Sequence, residues 1–323
     1  MKFNIGHPDN FCGGNFQDWL EVNLTPACNA NCSWCIENKG WHPKEHADWF
    51  TICNTIVEEG RKNVILLGGE PTLHPDLQDI IEELYANDLN VYITTNGSML
   101  TPEWVNTKLK YVHGVNISIH HSTKDRNAEI TGIHLNEVDL AKSIDILHRH
   151  EATVRFNCNC ISGYIDNEEE ILAYIAWAKK IGADSVRFAE LKGADKSFVD
   201  LAKILDHKYG LNDDPFQLGC NKNCVIDGML VNFRQMCGMQ TDLRPCPQNP
   251  RRIFKPVVYY DGKVYDGWQL KKENDMTKRE LKDILEMVAD GRMQISEAAD
   301  IIEKENEKIE EARSKEESSH CRY

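Results

Sequence analysis

The sequence predicts an α/β protein: a parallel sheet, open or closed into a partial barrel, then a small β extension and a helical tail. Between Trp19 and Glu190, short segments rich in β-branched residues alternate with amphipathic ones, the order of a βα repeat. The strand-like segments carry apolar residues at consecutive positions, as strands covered on both faces do. After residue 208 helical periodicity gives way to Gly, Pro, Asn and Cys, and it returns only near the end.

The strand candidates are 20–24, 64–67, 91–95, 115–120, 154–161 and 186–190. Between them, Leu77, Ile80, Ile81 and Leu84 share one helix face, as do Leu140, Ile144 and Leu147. Leu172, Ile175 and the pair Trp177 and Ala178 do so less cleanly. Thr101 and Pro102 read as an N-cap followed by proline at the first helical position. Six such units, joined by right-handed crossovers, place ligand-binding residues at the C-terminal ends of the strands. Beyond them, 224–237 reads as a hairpin turning at Asp227-Gly228, and 256–265 as one turning at Asp261-Gly262. Leu281, Ile284, Leu285 and Val288 form a later apolar stripe, Gly291 breaks it, and Ser296 can cap a second helix. The domain reading is an extension over 1–17, the βα barrel over 18–207, a cysteine-bearing β extension over 208–272, and a helical appendage with a charged tail over 273–323.

Composition excludes several classes. The 323 residues carry a formal charge of −14, with 51 acidic against 37 basic side chains. No basic cluster offers counterion release to a polyanion, so nucleic acid is set aside as a partner. No run approaches the roughly 18 apolar residues of a membrane span, and the polar start MKFNIGHPDN lacks a signal-peptide core. The expectation is a cytoplasmic protein, where its twelve cysteines are better read as metal ligands or buried thiols than as disulfides.

Cys28-Asn-Ala-Asn-Cys32-Ser-Trp-Cys35 follows the first strand directly. Three thiolates on one short loop can hold three irons of a [4Fe-4S] cluster and leave the fourth open, as a catalytic metal requires. The nearest further cysteines are Cys12 and Cys53. A zinc knuckle with a distant fourth ligand is the alternative.

Cys-x3-Cys-x2-Cys after the first strand, with an aromatic residue before the last cysteine, resembles the radical S-adenosylmethionine (radical SAM) superfamily. Gly68-Gly69-Glu70-Pro71, at the end of the next strand, resembles that family's second motif. The resemblance covers roughly residues 18 to 192. It implies a partial (β/α)6 TIM-like barrel whose open iron binds the amino and carboxylate groups of S-adenosylmethionine. An electron then cleaves the sulfonium, and a 5′-deoxyadenosyl radical abstracts hydrogen from a substrate. It further implies that Gly68 and Gly69 let the backbone approach the methionine amino group, that Glu70 adds an acceptor there, and that Trp34 lies near the adenine. Asn96, Ser118, Asn157 and Leu191, at later strand ends, complete the cofactor contacts; Ser118 and Asn157 can equally be satisfied within the sheet. A donor such as flavodoxin or ferredoxin would supply the electron.

Within the superfamily, Val154-Arg155-Phe156-Asn157 and Val186-Arg187-Phe188-Ala189-Glu190-Leu191 resemble the fifth and sixth strands of the molybdenum-cofactor GTP cyclases. Arg155 and Arg187 would face the barrel mouth, open to a carboxylate or phosphate, or would pair with acids such as Glu190. That cyclase's arginine-rich stretch after the C-terminal cysteines has no counterpart here. The substrate is accordingly left as a small molecule or a peptide. His120, beside His121 at the end of the fourth strand, is a candidate general base or a packing residue. Cys220, Cys224, Cys237 and Cys246 resemble the cysteines of twitch or SPASM extensions, which implies an auxiliary [4Fe-4S] cluster; zinc or buried thiols are the alternatives. Cys158 and Cys160, two apart on one strand face, read as small hydrophobes toward the helices, or as a hydrogen-atom donor. A non-catalytic iron–sulfur, zinc-binding or electron-transfer protein on the same fold is the alternative function.

Overall fold

The computed structural model describes residues 19–35, 37, 41–191, 197–211, 221–235, 256–265, 267, 268 and 294. Residues 1–38 and 42–268 belong to one compact unit, and 39–41 with 269–323 to a second. The expected helical appendage lies outside the described residues, as do Cys12, Cys220, Cys237, Cys246 and Cys321.

The elements alternate as the sequence predicts: β1 (Trp19–Asn23), α1 (Trp49–Glu58), β2 (Asn63–Leu67), α2 (Leu77–Ala86), β3 (Asn90–Thr95), α3 (Pro102–Lys108), β4 (Gly114–Ser118), α4 (Lys124–Thr131), α5 (Glu137–Arg149), β5 (Thr153–Asn159), α6 (Glu168–Ile181) and β6 (Ser185–Ala189). A short helix α7 (Leu201–Ile204) and two hairpins follow, β7 (Asn221–Ile226) with β8 (Met229–Arg234) and β9 (Val257–Tyr259) with β10 (Val264–Tyr265). All lie in one ten-stranded sheet of order β10-β9-β1-β2-β3-β4-β5-β6-β8-β7. Strands β1 to β6 are parallel and pair in chain order. The sheet does not close, which makes it a partial barrel.

The two hairpins sit on opposite edges of this sheet. β8 adds parallel to β6, and β9 adds parallel to β1. Antiparallel β7 and β10 then become the rims. Asp227 (φ 49°) and Gly228 (φ 79°) form the two-residue turn of the first hairpin, both in the left-handed region that such turns require.

Alternation along each strand divides the faces. Val22, Leu66, Ile93, Ile117, Phe156, Phe188 and Phe233 are fully buried toward the helices, with Cys158 and Cys160 among them as inert packing. The opposite face carries Thr94, Asn116, Arg155, Asn157, Arg187 and Asn232, so it is polar where it meets the strand ends. Thr101 caps α3 as expected, accepting a hydrogen bond from Trp104 N at 3.3 Å. On α6 the face expected from sequence is shifted: Ile171, Tyr174, Ile175, Ala178 and Ile181 are buried, whereas Leu172 is 37% exposed. Tyr174 donates its hydroxyl to Ile119 O at 2.8 Å. The phenol can therefore enter the core that the apolar pattern alone would have denied it.

Candidate cluster and cofactor site

The chain leaves β1 with Leu24 N donating to Leu67 O at 3.0 Å, and residues 25–27 then run against the turn after β2. Gly69 N donates to Thr25 O at 2.6 Å and Glu70 N to Ala27 O at 2.7 Å. This zipper tolerates no side chains. A Cβ on Gly68 would lie 2.5 Å from Thr25 O, and one on Gly69 2.4 Å from Ala27 O. Gly68 also adopts φ 142°, where glycine is favoured. The glycines thus dock the second motif on the three residues that lead into Cys28.

Cys28 is exposed, and Cys32 and Cys35 are partly buried. Burial, then neighbouring negative charge (Glu70 and Cys35 for Cys28, Cys35 and Cys28 for Cys32), pushes the Cys28 and Cys32 thiols up, Cys32 to about 11. Cys28 and Cys32 so placed ionise together only against positive charge, which a cluster's irons would supply. Among the described residues no three His, Cys, Asp or Glu groups converge on a single ion. A cubane does not require that, since each thiolate goes to a different iron. The donor set fits a [4Fe-4S] cluster.

The cluster loop is held from two sides. Asn31 N donates to Thr131 O at 2.8 Å, at the end of α4. On the other side, Asn96 Nδ2 donates to Asn29 Oδ1 (2.8 Å), Asn29 Nδ2 to Ser98 Oγ (2.9 Å), and Ser98 N back to Asn96 Oδ1 (2.9 Å), a closed ring. Glu70 anchors it from below. Its Oε1 accepts from Thr72 N (3.1 Å), Thr72 Oγ1 (2.6 Å) and Thr95 Oγ1 (2.6 Å), and its Oε2 from Asn96 N (2.7 Å). A carboxylate taking four protein donors is first a brace between the ends of β2 and β3. Whatever it offers a cofactor is the lone pair left on Oε2. Asn29, Thr72 and Thr95 were not singled out from the sequence: Asn29 and Thr72 follow strands where no periodicity marks them, and Thr95, the last residue of β3, reads as one more β-branched strand position.

Trp34 meets His120 edge-to-face, with ring centroids 5.4 Å apart. His120 Nδ1 accepts from Asn159 N at 3.1 Å, so the neutral ring carries its proton on Nε2. Burial pulls its pKa from 6.5 to about 4. The ring is therefore neutral at pH 7 and offers an N–H where the general-base expectation needs a lone pair. A stability consequence follows. The unfolded chain binds a proton between pH 6.5 and 4 that the folded ring refuses, so this contribution is complete above 6.5 and lost as pH falls through about 4. Its size is on the order of 3 kcal/mol. Urea melts at pH 7 and pH 4 should show that extra loss in the wild type and not in His120→Asn, which keeps an acceptor for Asn159 N.

Further along the concave face, Ser118, Asn157, Arg187, Asn232 and Asn223 are lateral neighbours across β4, β5, β6, β8 and β7. Arg155 Nε donates to Asn157 Oδ1, and Arg187 Nε to Asn232 Oδ1, both at 3.0 Å. Asn232 Nδ2 continues to Asn223 Oδ1 at 2.8 Å. Both arginines are buried, and both are oriented by amides through Nε. Glu190 accepts from Leu201 N at 2.9 Å. Leu191 is partly buried just past β6. Of the second cysteine group, Cys224 alone is described; it lies on β7, where burial pushes its thiol to about 11.

An open parallel half-barrel, with three thiols after β1 docked on a glycine pair after β2, defines a class: barrels that hold a cluster and a small cofactor at the strand ends. Residues 22–188 match the Radical SAM superfamily. The chain belongs to that superfamily. It is 29% identical over 264 residues to GTP 3′,8-cyclase of Aliarcobacter butzleri (strain RM4018), covering 79% of this chain and 72% of that protein. It is 27% identical over 206 residues to Molybdenum cofactor biosynthesis protein 1 of Mus musculus, 60% of this chain but only 31% of that protein. Among solved structures, Streptococcus suis SuiB bound to S-adenosylmethionine superposes with a TM-score of 0.53 at 17% identity, over 77% of this chain and 60% of that one. Native anSMEcpe with bound AdoMet and Cp18Cys peptide gives 0.52 at 16%, over 81% and 79%. These two likenesses speak to the fold. No helix among the described residues is long and apolar enough to cross a membrane.

Proposed function

We propose that this radical SAM enzyme acts on a small anionic substrate, with GTP as the first candidate, using a cluster on Cys28, Cys32 and Cys35. The observation that carries the cofactor half is the zipper between residues 25–27 and Gly68–Glu70, which fixes the three-thiol loop against the edge that would take the methionine end. When bound, cluster and S-adenosylmethionine supply one-electron cleavage of the sulfonium and a radical able to abstract hydrogen. The chain's own work is placement. Asn96, held by Glu70 and Asn29, presents its amide beside Cys28, and Trp34, packed edge-to-face on neutral His120, would supply an apolar contact to the cofactor. Ser118 and Asn157 line the next strand ends.

Two features support the substrate half. Arg155 and Arg187 are held by Asn157 and Asn232 on the concave face, an orientation suited to phosphate or carboxylate oxygens. And the relative spanning most of this chain is named GTP 3′,8-cyclase. Cys224, with Cys220, Cys237 and Cys246, would hold an auxiliary cluster or zinc, and flavodoxin or ferredoxin would deliver electrons.

The test is anaerobic: reconstituted protein, dithionite, S-adenosylmethionine, with and without GTP, assayed for 5′-deoxyadenosine. Product is expected, with a higher rate and a new nucleotide product when GTP is present. Product unaffected by GTP would remove the nucleotide and keep the radical chemistry. No product from a well-formed cluster, even with cell extract added, would favour the electron-transfer alternative.

A further inference from the structure

We infer that Asn23 and Glu37 form a positioning pair that locks the exit of the cluster loop to the glycine motif; this rests on the cofactor half of the reading above. Asn23 ends β1 on the concave face and is fully buried, and Glu37, two residues past Cys35, is 8% exposed. Asn23 Nδ2 donates to Glu37 Oε1 at 3.1 Å. The carboxylate fixes which way the amide faces, because the reverse orientation would set oxygen against oxygen. Asn23 Oδ1 therefore points away from Glu37, and it lies 3.1 Å from the place a Cβ on Gly68 would occupy. Among the described residues that oxygen has no hydrogen-bond partner, so the orientation is imposed by Glu37 and not by any donor at Gly68. His42 secures the same turn from outside, its Nε2 donating to Glu37 O at 2.8 Å.

One amide thus touches both motifs: its nitrogen holds the chain leaving the third cysteine, and its oxygen packs on the first glycine of the second motif. The zipper at 25–27 fixes the entry to the cluster loop, and the Asn23–Glu37 pair fixes its exit. Burying a carboxylate is costly in itself, and Glu37 is 8% exposed. Such a residue persists where its geometry is needed, since an apolar one would be cheaper to bury.

The test is a double-mutant cycle on Asn23→Ala, Glu37→Ala and the double variant. Affinity for S-adenosylmethionine would be read from its effect on the electron paramagnetic resonance spectrum of the reduced cluster, with iron per chain and the melting temperature of the metal-free protein alongside. Each single variant is expected to weaken S-adenosylmethionine by about tenfold, the cost of one charged hydrogen bond, with iron content kept. The double variant should lose about the same tenfold and not about a hundredfold. Multiplying effects, or wild-type affinity in either single variant, would overturn the pairing. Should the alanine variants not fold, Glu37→Gln, which keeps an oxygen for Asn23, should bind near wild type. Asn23→Asp, which sets carboxylate against carboxylate, should lose at least about tenfold; equal affinities would overturn the inference. A wild type that shows no spectral response to S-adenosylmethionine would instead defeat the cofactor reading itself.

Discussion

Glu70→Ala is expected to cost about 2–6 kcal/mol of stability and to reduce 5′-deoxyadenosine formation by about a hundredfold or more. The carboxylate is 1% exposed and takes four donors from Thr72, Thr95 and Asn96. Alanine leaves the buried Thr72 N and the partly buried Asn96 N without an acceptor, at about 1–3 kcal/mol each. The two threonine hydroxyls can rotate to other partners, which caps the total. The functional loss has a separate origin. Asn96 N is tied to Glu70, and the Asn96 side chain is tied to Asn29 inside the cluster loop. Releasing the first bond frees Asn96, and with it the Asn29 side of the cluster loop, to shift against the second motif, while the backbone zipper at 25–27 still holds the loop's entry.

Glu70→Gln separates the two effects. Its amide oxygen can keep the three donors on the Thr72 and Thr95 side, but its NH2 then confronts Asn96 N, donor against donor. A smaller stability loss with most of the functional loss retained is the expected pattern, checked by thermal melts, iron analysis and product assay. Wild-type turnover in Glu70→Gln would show that the Asn96 tie is dispensable.

Glu70 also marks where the sequence stops being informative. Gly-Gly-Glu after a strand could be recognised, and the cysteine spacing announced a cluster, because both are local patterns with few alternatives. The strand runs were legible for a similar reason: β-branched segments of four to eight residues between amphipathic helices leave little freedom. They alternate, however, with a polar inner face on β4 to β6, where two apolar faces were expected. The partners of Glu70 were not, since Thr95 is 25 residues away and nothing in a threonine's neighbours foretells a buried carboxylate across a strand. The face of α6 was misjudged by one position because Tyr174 was not counted as core, although its hydroxyl finds Ile119 O. The hairpins were visible from Asp-Gly turns, yet their separation to opposite edges was not. Turn chemistry fixes which strands pair within a hairpin and says nothing of which edge the pair joins. Asn23 and Glu37 were missed altogether, one hidden in a strand, the other in the tail of a motif whose cysteines drew the attention.

Gly69→Ala is the substitution expected to hurt cofactor binding most for the smallest chemical change. Unlike Gly68, Gly69 is not in the left-handed region, so alanine is conformationally permitted and the whole effect is steric. Its methyl would sit 2.4 Å from Ala27 O and 2.7 Å from Pro26 O. Both obstacles are backbone, so no side chain can swing aside. Relief requires the two loops to part by about 1 Å, a displacement that can by itself cost about a hundredfold in rate. The bonds that would break, Gly69 N to Thr25 O and Glu70 N to Ala27 O, are those that align Cys28 with the glycine edge. The three cysteines stay on their own loop throughout, so iron content should remain near wild type while S-adenosylmethionine binding and 5′-deoxyadenosine formation fall by about a hundredfold. That split distinguishes a misplaced cofactor edge from a lost cluster, and iron lost in step with activity would mean that the zipper builds the cluster site itself.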